Sequence, residues 1–324
     1  MKECTVIIPV YNCEASPLRR CLQRVFALGD SFEILVIDDG STDETPKVLE
    51  EMGKQMPSLQ VIRQSNTGVS GARNAGIIKA TGKWVVFCDA DDELDADALK
   101  NNLKKMEECK ADYGYGDFSK IISGNREEIR TEDLHTAEQV LHTMLCRPNQ
   151  YGAVWGKIYR REFLQDNHLT FNPDLSHAED TEFLVRVLQN ARRVTKLPEI
   201  MYTYYIYPSS SAKINQAALH HFRNALEAIR QDVAWEPEDI QKAFYNCCCI
   251  NLLIMMVNYI FRPGVSFMEG RPVLDGVLRE ELIQDALKHY DRSEMGKANR
   301  VVLSALKNNQ LQVAYAAVKV RQAR

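Results

Sequence analysis

The first 120 residues alternate regularly between short apolar runs rich in β-branched side chains and stretches of helical character. That alternation constrains the fold more than any other feature of the chain. Apolar runs at residues 5–10, 32–37, 59–62, 84–87 and 113–118 are separated by helix candidates at 17–28, 42–55, 70–80 and 95–109. Strand–helix repetition of this kind predicts βαβ units and a mostly parallel, Rossmann-like α/β sheet flanked by helices. The runs VIIPV and ILVID lack polar alternation, as strands covered on both faces do. Ser41 followed by Glu44 predicts a capping box for the second helix.

Beyond residue 120 the pattern changes twice. Residues 121–211 are mixed, with a loop or hairpin at 123–132, helices near 136–146, 160–165 and 179–189, and an aromatic strand at 201–207. From 215 onward the chain reads as helical, at 215–233, 237–261, 277–290, 294–306 and 311–320, broken by Pro263-Gly264 and Arg271-Pro272. The expectation is an α/β domain over 1–212 and an all-helical extension over 213–324. Residues 244–261 are strongly apolar, but Asn246, Asn251 and Asn258 interrupt them, so a buried helix is expected there instead of a membrane span.

Chemistry-bearing residues gather where the predicted strands end, which is where open α/β sheets bind ligands. The first strand runs into Pro9-Val10-Tyr11-Asn12, the second into Asp38-Asp39-Gly40-Ser41, the fourth into Asp89-Ala90-Asp91-Asp92. Crowded carboxylates are costly unless a cation or donor offsets them. A divalent ion holding a diphosphate, Mg²⁺ or Mn²⁺ with oxygen ligands, meets that need.

The segments VIIPVYN, ILVIDDGSTDET, NTGVSGARNAGIIKATGKWVVFCDADD and HAEDTEFLVRVL resemble, in order and spacing, the inverting GT-A-fold glycosyltransferases of family 2, over roughly residues 4–210. The resemblance implies that Pro9 and Asp39 hold the nucleobase of a nucleotide-diphospho-sugar, with Val10 and Tyr11 lining its pocket, and that Arg73 contacts the nucleotide. It implies a ribose contact for Asp89, Ala90 beside it at the donor, and a metal contact for Asp91, with Asp92 as a further metal candidate. The Asp of the Glu179-Asp180 pair would be the catalytic base. The segment Trp155-Gly156-Lys157 resembles one used on the acceptor side, although Trp155 reads equally well as a core residue. His177 and Glu179 are substrate-contact candidates on that side. By the same resemblance the setting is bacterial capsule, exopolysaccharide or other surface-glycan assembly, with a UDP-linked donor and a saccharide or lipid-linked acceptor.

Composition narrows the alternatives. Lys and Arg number 40 against 44 Asp and Glu, a net charge of −4, which argues against a nucleic-acid partner. Residues 288–324 nevertheless carry eight basic against two acidic side chains, with Leu311, Ala314, Tyr315 and Val318 on one helical face. That tail suits either an anionic membrane surface or packing and homo-oligomer contacts. Nine scattered cysteines without C-x-x-C pairs, and an opening run too short for a signal peptide, fit reduced thiols in the cytoplasm, peripheral to the membrane at most. A dinucleotide-dependent oxidoreductase is excluded, because no G-x-G-x-x-G follows a strand. Nucleotidyl transfer lacks its glycine-rich basic loop, since Tyr11-Asn12-Cys13-Glu14 occupies that place. A non-catalytic nucleotide-sugar-binding or assembly subunit remains the other alternative.

Overall fold

The computed structural model describes residues 2–56, 58–206, 216–233 and 237–322. Two compact units divide the chain: residues 1–140 with 153–208, and residues 141–152 with 209–324. The expected cut between 212 and 213 lies outside the described residues. The sequence assigns 141–152 to the first domain, whereas in the structure they belong to the helical unit.

The first unit opens with β1 (Cys4–Val10), α1 (Ala15–Phe26), β2 (Phe32–Asp38), α2 (Thr45–Gln55), β3 (Leu59–Arg63), α3 (Gly68–Lys79) and β4 (Trp84–Phe87). It continues with β5 (Glu93–Leu94), α4 (Ala96–Cys109), β6 (Tyr113–Tyr115) and the hairpin β7 (Phe118–Ile122) and β8 (Asn125–Ile129). Next along the chain are α5 (Ala137–Cys146), which crosses the division, and α6 (Pro148–Tyr151) in the second unit. The first unit resumes with β9 (Lys157–Arg160), α7 (Arg161–Asp166), α8 (Glu179–Asn190), β10 (Val194–Lys196) and β11 (Tyr202–Ile206).

Seven strands form the main sheet in the order β10-β6-β9-β4-β1-β2-β3, and only β9 runs antiparallel. β1 and β2 are buried along their whole length, as their unbroken apolar runs require. A smaller sheet, β5-β11-β7-β8, lies in the same unit. The predicted strand 113–118 is in fact two strands in two sheets. Asp117 turns the chain between them: its Oδ1 accepts from Thr131 N at 2.7 Å and Thr131 Oγ1 at 2.8 Å.

The expected capping box at Ser41 and Glu44 does not form. Helix α2 begins at Thr45, and Ser41 Oγ instead accepts from Asn12 N at 3.0 Å, tying the loop after β1 to the loop after β2. A capping box does form in the second unit, at Ser266 and Glu269, and opens α11 (Phe267–Leu278). This helix runs straight through Pro272, where the sequence predicts a break; the proline is solvent-exposed.

The second unit also holds α9 (Gln216–Asp232), α10 (Glu238–Met255), α12 (Glu281–His289), α13 (Lys297–Lys307) and α14 (Leu311–Gln322), with a π-helical turn over Met256–Ile260. The stretch Glu238–Ile260 is long and apolar enough to cross a membrane, yet 67% of its most apolar window is buried within the protein. Two of its asparagines, Asn246 and Asn251, bond inside the unit. Asn251 Nδ2 donates to Cys247 O at 2.9 Å, and Asn246 Nδ2 to Cys146 Sγ at 3.3 Å. A core helix is the consistent reading.

Helix α3 lies directly on β1, and glycine makes the approach possible: a Cβ at Gly76 would stand 2.3 Å from Ile7 Cγ2. Gly76→Ala should therefore cost about 1–3 kcal/mol through overpacking. Urea denaturation of the variant against wild type measures this, and an unchanged midpoint would show that the β1–α3 seam is slack.

Candidate active site

Strand β1 pairs with β2 on one side and β4 on the other, so the chain reverses its direction of winding at β1. The carboxyl ends of β1 and β4 open there into a cleft of about 500 Å³, as expected at a topological switch point. Pro9 and Val10 line it from β1, Tyr11 and Asn12 from the loop that follows, Val69 and Arg73 from α3, and Asp89, Ala90 and Asp91 from the loop after β4. Asn12 takes a left-handed conformation (φ 47°), and its Oδ1 accepts from Thr42 N at 2.8 Å. The floor of the cleft is thereby tied to the Asp-rich turn, while Tyr11 stays half exposed.

Asp39 does not line this cleft. It is buried, and Oδ1 accepts from Gln64 Nε2 at 2.8 Å and from Thr67 N at 2.9 Å. Oδ2 accepts from Gly68 N at 2.8 Å, so the carboxylate secures the N-terminus of α3, where the helix dipole favours a negative charge.

Arg73 is the centre of the site. Its side chain is only 4% exposed and meets three carboxylates from two segments, the loop after β4 and the start of α8. Nη1 donates to Asp180 Oδ1 at 2.6 Å and reaches Glu179 Oε1 at 3.5 Å; Nη2 donates to Asp89 Oδ1 at 3.2 Å. Burial works against its charge, but Asp180, Asp89 and Glu179 outweigh burial and raise its pKa. Asn74, the next residue on α3, exchanges bonds with Phe171 of 2.8 Å (Nδ2 to O) and 2.7 Å (N to Oδ1). Phe171 stacks on Phe183 of α8 with ring centroids 4.1 Å apart. The small residues of Gly68–Lys79 thus bring α3 close to the sheet, and its Arg-Asn pair docks the segment that leads into α8.

Asp180 sits in the first turn of α8, whose N-cap Ala178 is left-handed (φ 54°). Its second oxygen, Oδ2, accepts from Val154 N at 3.1 Å. Burial pushes the Asp180 carboxyl up, Arg73 pulls it down, and Asp89 pushes it up again. Burial and then Asp180 push Glu179 up to about 7, against the pull of Arg73. Asp180 is therefore an oriented carboxylate, partly desolvated and still 19% exposed on its side chain, as a general base must be.

The acidic loop divides its labour. Asp91 faces the cleft, its carboxyl raised by burial and by Asp89. Asp92, expected as a further metal candidate, is fully buried and spent elsewhere: Oδ2 accepts from Tyr202 Oη at 2.6 Å and Oδ1 from Tyr205 N at 2.8 Å. Burial pushes its carboxyl up to about 8, although the Tyr202 bond opposes this. Its role is to hold β11 against the loop. Among the described residues no group of three or more His, Cys, Asp or Glu side chains could hold a metal ion. An ion at Asp91 would therefore need further oxygen ligands from a bound diphosphate.

Trp155, weighed as a sugar platform, is 9% exposed and packed among aromatics, stacked on Tyr202 at 4.5 Å and edge-on to Phe118 at 4.9 Å. It is a core residue. Lys157 is 6% exposed, and burial lowers its amine to about 7 while Asp180 raises it. His177 is half-buried, with Nδ1 3.4 Å from Ser176 Oγ. Sequence reasoning missed Arg20, whose Nη2 donates to Asp91 O at 2.6 Å and whose guanidinium lies 3.8 Å from the centre of the Tyr205 ring. It missed Tyr202 and the Val154 amide as well. A lone arginine on an amphipathic helix and a main-chain N–H leave no mark in a sequence.

The architecture is the GT-A fold, a mostly parallel sheet with a nucleotide-type cleft at its switch point, followed by helices. Staphylococcus aureus TarS residues 1–349 superpose with a TM-score of 0.69 at 20% identity, covering 99% of this chain and 92% of that one; the same protein has been solved with UDP-GlcNAc. The family model described as Glycosyl transferase family 2 matches residues 5–167, half of the chain, and the chain belongs to that family. Among curated relatives, the "uncharacterized glycosyltransferase YibD" of Escherichia coli K12 is 30% identical over 65% of this chain and 64% of its own length. EpsJ of Bacillus subtilis is 26% identical over 94% of this chain and 92% of its own, and TarS of S. aureus Mu50, named as a poly(ribitol-phosphate) β-N-acetylglucosaminyltransferase, is 31% identical over 63% and 35%.

Removing Arg73 would leave three carboxylates without their cation. Arg73→Ala should cost about 3–5 kcal/mol. The loss should be larger at about pH 8 than at about pH 5.5, because protonation relieves the crowded acids as pH falls. Chemical denaturation at the two pH values checks this; an equal loss at both would mean that packing, not charge, sets the effect.

Proposed function

We propose that this chain is an inverting glycosyltransferase that moves a hexosyl or N-acetylhexosaminyl group from a UDP-linked donor to an acceptor hydroxyl in surface-glycan synthesis. The observation that carries this reading is Asp180, held by Arg73 and the Val154 amide at the start of α8 while Arg73 itself lines the cleft. The acceptor oxygen attacks the anomeric carbon, Asp180 takes the hydroxyl proton, and the bond from that carbon to the diphosphate breaks on the opposite face, inverting the centre. Pro9, Val10 and Tyr11 receive the base. Asp39 remains a candidate partner for it, since Oδ2 accepts a single bond. Asp89 and Ala90 lie beside ribose and sugar. The sugar called for in the name of TarS, and the UDP and UDP-GlcNAc bound in its structures, support the donor class.

The hard oxygen donor at Asp91 suits Mg²⁺ or Mn²⁺ completed by the donor's diphosphate, and such an ion would stabilise charge developing on the leaving group. Lys157, His177 and Glu179 are proposed on the acceptor side; Trp155 supports that wall through packing. Asp180→Asn should lower turnover by roughly 10²–10⁴-fold with donor affinity retained. Asp91→Ala should weaken calorimetric binding of UDP with Mn²⁺. Full turnover in the first variant rejects Asp180 as base, and unchanged binding in the second rejects Asp91 as ligand. Absence of transfer by wild type with every UDP-sugar, despite UDP binding, would favour the non-catalytic subunit.

The face of Leu311, Ala314, Tyr315 and Val318 is packed inward, with Tyr315 against Phe261 and Phe267. Support for a membrane-side acceptor comes instead from the outer faces of α11, α13 and α14. Met268 is 74% exposed and Val320 58%, with Val301 and Val313 also exposed. Arg271, Lys297 and Lys307, on α11 and α13, are exposed as well. Apolar and basic side chains together suit an anionic lipid surface. Flotation with phosphatidylglycerol vesicles but not phosphatidylcholine vesicles is expected. If the protein floats with neither and light scattering gives a dimer, these faces are a contact between copies instead.

A further inference from the structure

We propose that Arg20 is a positioning residue for Asp91: its guanidinium, pinned by Glu93 and Tyr205, clamps the main chain at Asp91 and so aims that carboxylate at the divalent ion of a nucleotide diphosphate. The inference rests on the reading of Asp91 given above and deepens it.

The three acids after β4 are held in different ways. Asp89 is fixed through its side chain, with Arg73 Nη2 donating to Oδ1 at 3.2 Å. Asp92 is fixed through its side chain too, by Tyr202 Oη and Tyr205 N. Asp91 is held the other way round. Among the described residues no other side chain bonds to its carboxylate, whereas its carbonyl oxygen accepts from Arg20 Nη2 at 2.6 Å. A turn shapes the main chain here, since Asp92 N donates to Asp89 O at 3.1 Å, and α1 meets the Asp91 carbonyl from beside that turn. The carboxylate is thus left open towards the cleft, and its aim follows from the main chain that Arg20 holds.

Arg20 is itself fixed before any ligand arrives. Its Nε lies 3.0 Å from Glu93 Oε1, and its guanidinium carbon 3.8 Å from the centre of the Tyr205 ring. Glu93 is anchored in turn: Oε2 pairs with Arg24 Nε at 3.2 Å, and Oε1 accepts from Tyr205 Oη at 2.7 Å. Contacts therefore run from α1 through β5 and β11 back to the acidic loop. Pro17, three residues before Arg20 on α1, lines the cleft and Arg20 does not, so the clamp acts from behind the loop. Groups that orient a metal ligand in this way govern metal affinity although they never touch the ion. A planar guanidinium can lie on the ring, pair with Glu93 and donate to Asp91 O at once, which an ammonium cannot.

The test has two arms. In the first, calorimetry measures UDP binding to the full chain, once with Mn²⁺ and once with EDTA. Arg20→Met should weaken the affinity with Mn²⁺ by about 10–100-fold and leave the value in EDTA unchanged. An equal loss under both conditions marks a general disturbance of the cleft and overturns the proposal, as does no loss under either. Arg20→Lys keeps the charge without the fork and should show the same selective loss. Wild-type binding in Arg20→Lys overturns the clamp in favour of charge alone, and this variant decides if Arg20→Met does not fold. The second arm follows hydrogen exchange of the loop in the nucleotide-free protein. Asp89 N donates to Tyr202 Oη and Asp92 N to Asp89 O, and both amides should exchange about tenfold faster in Arg20→Met or Arg20→Lys. Unchanged exchange also overturns the proposal. Should wild type bind UDP equally with Mn²⁺ and EDTA, the metal reading of Asp91 fails, while the exchange arm still decides whether Arg20 holds the loop.

Discussion

Everything in the site depends on one guanidinium buried among three carboxylates. Asp89 arrives from the end of β4, Glu179 and Asp180 from the start of α8, and Arg73 from α3. Without a shared cation these acids could not approach one another in a partly desolvated pocket. With it, strand end and helix start are locked in register. The bonds of Asn74 to Phe171 and the Phe171–Phe183 stack reinforce the same junction with main-chain and aromatic contacts. The packing that builds the fold and the charge that orients Asp180 thus share one helix.

The acidic loop after β4 illustrates how neighbouring residues of one type part company. Asp89 pairs with Arg73, Asp91 faces the cleft, and Asp92 turns inward to Tyr202 and Tyr205. Tyr202 Oη in turn accepts from Asp89 N at 3.1 Å, so β11 braces the loop on both sides of Asp91. Rigidity of this kind is what a charge-stabilising site requires, since fixed dipoles need no reorganisation during reaction.

Much of this was legible in the residues. Unbroken apolar runs separated by amphipathic helices announced the parallel sheet, and acidic turns at predicted strand ends located the cleft. The failures share a cause. Ser41 has the local signature of a cap, but a competing donor, Asn12 N, comes from 29 residues away. Pro272 reads as a breaker, yet it lies inside a helix that Ser266 and Glu269 begin firmly. Trp155 reads as a platform or as core, and only Tyr202, 47 positions distant, decides for core.

The sequence by itself determined the fold class, the order of the motifs and which residue types crowd the strand ends, because periodicity and composition are local properties of the chain. The tertiary structure alone decided which carboxylate faces the cleft and which is buried. It also decided that Arg73 joins α3 to the loop after β4 and to the start of α8. Burial and ion pairing depend on contacts between residues up to about a hundred positions apart, such as the 107 between Arg73 and Asp180, and no local pattern encodes them.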